Sequence, residues 1–210
     1  MFDAVIDVSH NDPIPMKFDK AAATGIAAVI HKATQGTGFV DPAFSTNRGK
    51  ARTAKLLFGS YHFGIGASGA TQAEFFLRTV GPRPGELLAL DFEKNTTKGQ
   101  TDMTVDQARD FVTTVHDRVG KWPVLYGGDF LKELLKGEPD PVLANCPLWL
   151  ADYAGTPELP PGWSEFKLWQ WTDGKQGVDP KPVEGIGSCD RDRFAGPATE
   201  LAAFWASVAA

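Results

Sequence analysis

The chain has 210 residues, 42% of them hydrophobic and 22% charged, with a formal net charge of −5 at pH 7. This composition supplies a full core and excludes a disordered chain, and the acidic balance argues against broad nucleic-acid binding, which wants a basic face. No segment offers the roughly 18 uninterrupted apolar residues of a transmembrane helix, so no membrane insertion is expected.

The first residues, MFDAVIDVSHND, place Asp3 and Asp7 where a signal peptide needs a basic end and then an apolar run. The expectation is a chain that stays in the cell that makes it or leaves by another route. Short apolar, β-rich runs then recur at 4–8, 26–31, 56–63, 87–92, 123–126, 148–151 and 167–171. Several are apolar on both faces, as parallel strands covered on two sides are. Thr71 and Glu74 form a capping-box pattern that opens a helix through Val80, which Gly81 ends. Thr104 and Gln107 form a second box, followed at helical spacing by Val105, Ala108, Phe111, Val112, Val115 and Val119, with Gly120 as terminator. A last helix follows Gly196, with Pro197 at its first position, and runs through Leu201, Phe204 and Val208. Residues 137–163 are Pro-rich and show no convincing helix. The front is thus repeated β-α and the back mostly β, which suggests a parallel α/β fold, a barrel lacking its last helices, in one domain spanning 1–210.

The strongest local signal is Asp91-Phe92-Glu93 at the end of an apolar run. Residues two apart on a strand share a face, so both carboxylates project from the carboxyl end, where barrels and open sheets place active sites. Like charges this close push one carboxyl upward, giving an acid that holds its proton near neutral pH. Asp7 leaves the first strand in the same way, or else caps the next turn through Ser9 and Asn11. Asp190 either joins the same mouth or belongs to a surface cluster with Arg191, Asp192 and Arg193. Four acids at the ends of different strands suit a glycosidase, which protonates a leaving oxygen and stabilises an oxocarbenium-like centre.

Aromatic residues also gather at strand ends: Tyr61, Phe63, Tyr126, Trp149 and Tyr153. A buried hydroxyl needs a partner, which makes Tyr61 and Tyr126 site candidates, whereas Phe63 reads as core. In Trp169-Gln170-Trp171 the two indoles share one side, so either Gln170 or the Trp pair faces the interior.

Gly64-Ile65-Gly66-Ala67-Ser68-Gly69 matches G-x-G-x-x-G after a strand and before a helix, which would suit a nicotinamide-dependent oxidoreductase. The helix signal opening only at Thr71 favours a flexible glycine-rich loop instead. No nucleophile elbow, zinc helix or phosphate loop is present. His10, His31, His62 and His116 lack ligand spacing, so no metal is expected. Cys146 and Cys189 form no C-x-x-C pattern and read as buried free thiols, with a disulfide between them as the alternative for a protein that works outside a cell.

Seven blocks stand in order: DVSHND at Asp7, HKATQGTGFVDPAF from His31, GSYHF at Gly59, ALDFEKN at Ala89, LWLADY at Leu148, LWQWTDG at Leu168 and CDRDRF at Cys189. Together they resemble the glycoside hydrolase family 25 lysozymes, over roughly residues 3–195. The resemblance implies an α/β fold, a single irregular flattened (β/α)5(β)3 barrel similar to a TIM barrel. It implies an N-acetylmuramidase that cleaves the β-1,4 bond between N-acetylmuramic acid and N-acetylglucosamine in bacterial peptidoglycan, with retention of configuration. Glu93 would then be the proton donor with Asp91 assisting, Asp7 and Asp190 the other acids of the mouth, and Tyr61, Tyr126, Trp149 and Gln170 the sugar contacts. No cofactor and no metal are implied, the expected partner is peptidoglycan, and a monomer is expected. The implied setting is the bacterial cell wall, reached by lysis, a holin or a secretion system, as for a phage endolysin or an effector. The chain departs from the family where Asn11 replaces a Trp, Gln35 replaces a Glu and Gly127-Gly128 replace a Thr-Asn pair. None of these removes the four acids, and they bear on substrate preference. A glycan-binding barrel without turnover is the alternative, which the Asp91–Glu93 pair argues against because a pure binder has no need of adjacent carboxylates.

Overall fold

The computed structural model describes residues 1–13, 15–179 and 181–210. The chain opens with β1 (Phe2–Val8), α1 (Phe18–Ala23), β2 (Ala28–Gln35), β3 (Phe39–Val40), α2 (Phe44–Thr53) and β4 (Leu57–Phe63). There follow α3 (Gly69–Val80), β5 (Glu86–Asp91), α4 (Val105–Val119), β6 (Val124–Gly127), α5 (Asp129–Leu135) and β7 (Leu148–Ala151). The last part holds β8 (Leu168–Thr172), the short pair β9 (Pro182–Val183) and β10 (Gly187–Ser188), β11 (Asp190–Phe194) and α6 (Ala198–Val208).

Eight strands close a barrel in the order β1-β2-β4-β5-β6-β7-β8-β11. Neighbours are parallel except β11, which runs antiparallel to both β8 and β1. The first five barrel strands are each followed by a helix, β7 and β8 are not, and β11 leads into α6, a sixth helix that adds no β/α unit, so the (β/α)5(β)3 expectation holds. Strand alternation divides the apolar residues into two layers. Ile6, Val29, Phe58, Leu88, Leu90 and Leu125 face outward into the layer that includes Phe76, Phe111 and Val115 of the helices. Val5, Ala28, Ile30, Leu87, Ala89, Val124 and Leu168 face inward.

The amino-terminal end of the barrel is plugged by α6. Leu201, Trp205 and Val208 join the interior cluster, and Trp205 Nε1 donates to the Phe58 carbonyl at 2.8 Å. Gly59 makes this possible, because a Cβ there would lie 3.3 Å from the Trp205 ring and 3.2 Å from Leu87. The plug leaves the carboxyl end as the open one.

Several boundaries differ from the sequence-based expectations. No capping box forms at Thr71. Ser68 is the N-cap, its Oγ accepting from the Thr71 amide at 3.3 Å, so α3 starts at Gly69. The α4 box forms as expected, with Thr104 and Gln107 bonded reciprocally and Gly120 left-handed at φ 73°. Pro197 is the N-cap of α6, not its first helical residue. The helices α1, α2 and α5 carried no clear pattern: α1 and α5 have 6 and 7 residues. The inward face of α2 mixes apolar Phe44 and Ala51 with polar Asn47 and Arg48, Asn47 bonding His31 Nε2 at 3.0 Å and Arg48 pairing with Glu86 while donating to the Val80 carbonyl at 2.6 Å.

The glycine-rich loop is packed and not open. A Cβ at Gly64 would meet Met103 Sδ at 2.6 Å, at Gly66 the Thr101 hydroxyl at 2.0 Å, and at Gly69 the Gln107 carbonyl at 1.9 Å. These glycines admit the neighbouring chain, which occupies the side a dinucleotide phosphate would need. Cys146 and Cys189 are buried free thiols, as read, and burial pushes both upward.

Candidate active site

At the carboxyl end of the barrel a small cavity of about 60 Å³ is lined by Asp7, Tyr61, Asp91, Glu93, Tyr126, Trp149, Gln170 and Asp190. These are the eight residues singled out from the sequence, and the fold brings all of them together. Pairing across the strands explains why: Asp7 stands opposite Asp190, Asp91 opposite Tyr126, and Tyr126 opposite Trp149. The cavity continues into a cleft of about 810 Å³ bordered by Asn11, Lys32, Gln35, Phe39, Thr97 and Asp173. On the other side lies a depression of about 540 Å³ bordered by Lys94, Gly128, Phe130 and Tyr153. Glu93 borders all three spaces.

Gln170 settles the Trp-Gln-Trp alternative by facing inward. Its Nε2 donates to Asp7 Oδ2 at 2.7 Å and Asp190 Oδ2 at 3.4 Å, while its Oε1 accepts from the Tyr126 and Tyr153 hydroxyls at 2.8 and 2.5 Å. Trp169 and Trp171 take the other side of β8, with the Arg193 guanidinium 5.3 and 4.5 Å from their rings. Asp7 does not cap the following turn, because Asp12 Oδ2 accepts the Ser9 amide at 2.7 Å instead.

The surface-cluster reading of 190–193 is corrected. These residues form β11, where alternation sends Asp190 to the mouth and Asp192 into the fully buried interior, its Oδ1 accepting from Trp149 Nε1 at 2.6 Å. Phe63 is also more than core, for it lines the larger cleft with Lys32 Nζ 4.6 Å from its ring.

Lys32, Asp192 and Tyr153 join the site beyond those eight residues, through Gln35, Trp149 and Gln170 respectively. A lysine inside an apolar strand was the available signal for Lys32, and a two-residue spacing from Asp190 was the signal for Asp192.

Burial is the first cause of the electrostatics here. It pushes Asp91, only 7% exposed, well above the usual carboxylate range. The Glu93 charge adds to this and Lys32 opposes it. Glu93 is likewise raised by burial and pulled back by Lys32. Asp7 is raised by burial and then by Asp190 and Asp192, with the Gln170 bond opposing. Asp190 is pushed up to about 7 from 3.8 by burial and the charges of Asp12 and Asp173.

These shifts carry a stability consequence. A carboxyl raised in the folded state binds its proton more tightly there than in the unfolded chain. The stabilisation is complete below the unfolded value of 3.8 and is lost as pH rises through about 7. Asp190→Asn is therefore expected to match the wild type in thermal midpoint at the acid end of this window. It should then gain steadily on the wild type up to neutral pH, which a series of melts across that range will measure. A constant offset at every pH would show that Asp190 is not raised by the fold.

A closed α/β barrel that collects buried carboxylates and tyrosines at its carboxyl mouth, between two open clefts, is built as a glycoside hydrolase. The chain belongs to glycosyl hydrolases family 25, whose pattern matches residues 6–179. It is similar to Lysozyme M1 of Streptomyces globisporus, at 28% identity over 94% of this chain and 69% of that protein. It is also similar to an N,O-diacetylmuramidase of Chalaropsis sp, at 30% identity over 80% of this chain and 86% of the other. Among solved structures, a muramidase from Acremonium alcalophilum superposes with a TM-score of 0.83 at 32% identity, covering 98% of this chain and 99% of that one. Among the described residues no helix is long and apolar enough to cross a membrane.

Proposed function

We propose that this glycoside hydrolase acts on the bacterial cell wall, cutting the β-1,4 bond between N-acetylmuramic acid and N-acetylglucosamine in peptidoglycan. Residues 1–210 act as one catalytic domain and as a monomer. The observation that carries this reading is the position of Glu93, a raised carboxyl bordering the acid-lined cavity and both clefts. The names of the relatives, lysozyme and muramidase, support the substrate class.

The glycan lies along the two clefts with the scissile bond at Glu93. Glu93 gives its proton to the glycosidic oxygen, and the C1–O bond breaks toward an oxocarbenium-like centre. Asp91 Oδ1 is buried and forms no hydrogen bond within the described chain. With Glu93 carrying the proton of the pair and the Lys32 charge favouring ionised Asp91, the Asp91 carboxylate accepts from the acetamido N–H of the sugar, and the acetamido oxygen attacks C1 from the opposite face. The Glu93 carboxylate then takes a proton from water, which opens the cyclic intermediate and restores the original configuration. Asp7 and Asp190 face the developing positive charge, and Tyr61, Tyr126, Trp149 and Gln170 shape the sugar subsite.

Digestion of purified peptidoglycan, borohydride reduction and mass analysis of the fragments test the bond assignment. The expected products end in reduced N-acetylmuramic acid. Reduced N-acetylglucosamine ends would move the cut to the other linkage, and glycan binding without fragments would make the chain a binding barrel.

A further inference from the structure

Gln35, the last residue of β2, is a junction. Its Oε1 accepts from Lys32 Nζ at 2.7 Å, while its Nε2 donates to Gln100 Oε1 at 2.9 Å and Thr97 Oγ1 at 3.2 Å. Thr97 and Gln100 belong to the 92–104 loop, which leaves β5 directly after Asp91 and carries Glu93. The loop is closed on itself by the Asn95 amide bonding Asp102 Oδ1 at 2.7 Å and Asn95 Nδ2 bonding Gln100 Oε1 at 3.1 Å. A carboxamide meets both demands at once. A carboxylate has no N–H for the loop, and a cationic side chain has no acceptor for Lys32.

Lys32 is 7% exposed. The charged groups facing it are Asp91 and Glu93 at the end of β5 and Asp41 after β3, with His10 and Tyr61 also on the cleft wall. Lys32 Nζ donates to the neutral Gln35 oxygen, so the bond fixes the ammonium without cancelling its charge. That charge opposes the burial that raises Asp91 and Glu93.

We propose that Gln35 is a positioning residue for hydrolysis: one neutral carboxamide holds the Lys32 ammonium toward the Asp91–Glu93 pair and ties down the loop that carries Glu93. The inference rests on Glu93 being the acid. A purely structural Gln35 would affect the rate alone, whereas this role also sets the pH at which the acid is lost.

The test is the pH profile of kcat/KM for Gln35→Met, a variant of similar size that removes both carboxamide bonds and adds no charge. With Lys32 released, the cation no longer opposes the proton on Glu93. The basic limb is therefore expected to move to higher pH by about 0.5–1 unit, together with a fall in kcat from the loosened loop. Lys32→Met, which removes the cation itself, should move the limb the same way, and it carries the test if Gln35→Met fails to fold. A basic limb that stays at its wild-type position in the folded variants overturns the proposal. If Glu93→Gln keeps wild-type activity, the reading of Glu93 fails instead, so the two failures are distinguishable.

Discussion

Replacing Glu93 with Gln is expected to lower peptidoglycan turnover by about 10²–10⁴-fold, the contribution of a positioned proton donor. The change keeps the shape of the side chain and removes a carboxyl that burial has already raised. The variant should therefore melt at or above the wild-type temperature near neutral pH and still sediment with purified walls. Turnover and wall binding measured side by side separate this outcome from unfolding. Asp91→Asn is a different case, because that residue sits deeper and stands opposite Tyr126 in the barrel wall. An amide there still meets the acetamido group but cannot balance its developing charge.

The largest expected effect on stability lies at the opposite end of the barrel. Trp205 is 1% exposed, belongs to the interior cluster and donates to the Phe58 carbonyl. Trp205→Ala leaves a cavity and removes the bond to the Phe58 carbonyl, at a cost of about 3–5 kcal/mol. Denaturant unfolding at equilibrium measures this directly. Trp205→Phe keeps a smaller aromatic ring without the donor and should lose a smaller share. Because α6 closes the amino-terminal end, activity well below the melting temperature should survive both changes. A loss under about 1 kcal/mol for Trp205→Ala would show that α6 is not a structural plug.

Much of this architecture was legible in the sequence because the barrel strands are apolar on both faces and the site residues sit where those runs end. Asp91 and Glu93 were readable from a two-residue spacing, and Asp7 from its place after Ala4, Val5 and Ile6. The ordered blocks added the closing turns of the fold, which periodicity does not provide. What stayed hidden has physical reasons. Two of the four buried positions of α2 are Asn47 and Arg48, which find buried partners, so hydrophobic spacing is weak there. The alternating charges of β11 resemble a solvated segment, and only closure of the barrel against β1 and β8 shows that Asp192 points inward. The start of α3 was misplaced because Thr71 and Glu74 imitate a capping box while Ser68 performs the capping. The glycines at 64, 66 and 69 suggested flexibility, although their function is close packing that a local pattern cannot distinguish.

The central claim, that Glu93 supplies the proton to the departing sugar oxygen, is tested most directly by changing the leaving group. The measurement is the first-turnover rate of leaving-group release by the wild type and Glu93→Gln, on peptidoglycan fragments and on an aryl glycoside whose phenolate departs without protonation. Glu93→Gln is expected to lose release of the sugar leaving group and to keep most of the aryl release, because the water-activating step that also uses Glu93 comes later. Equal loss on both substrates would contradict the claim and assign the proton to another group in the mouth.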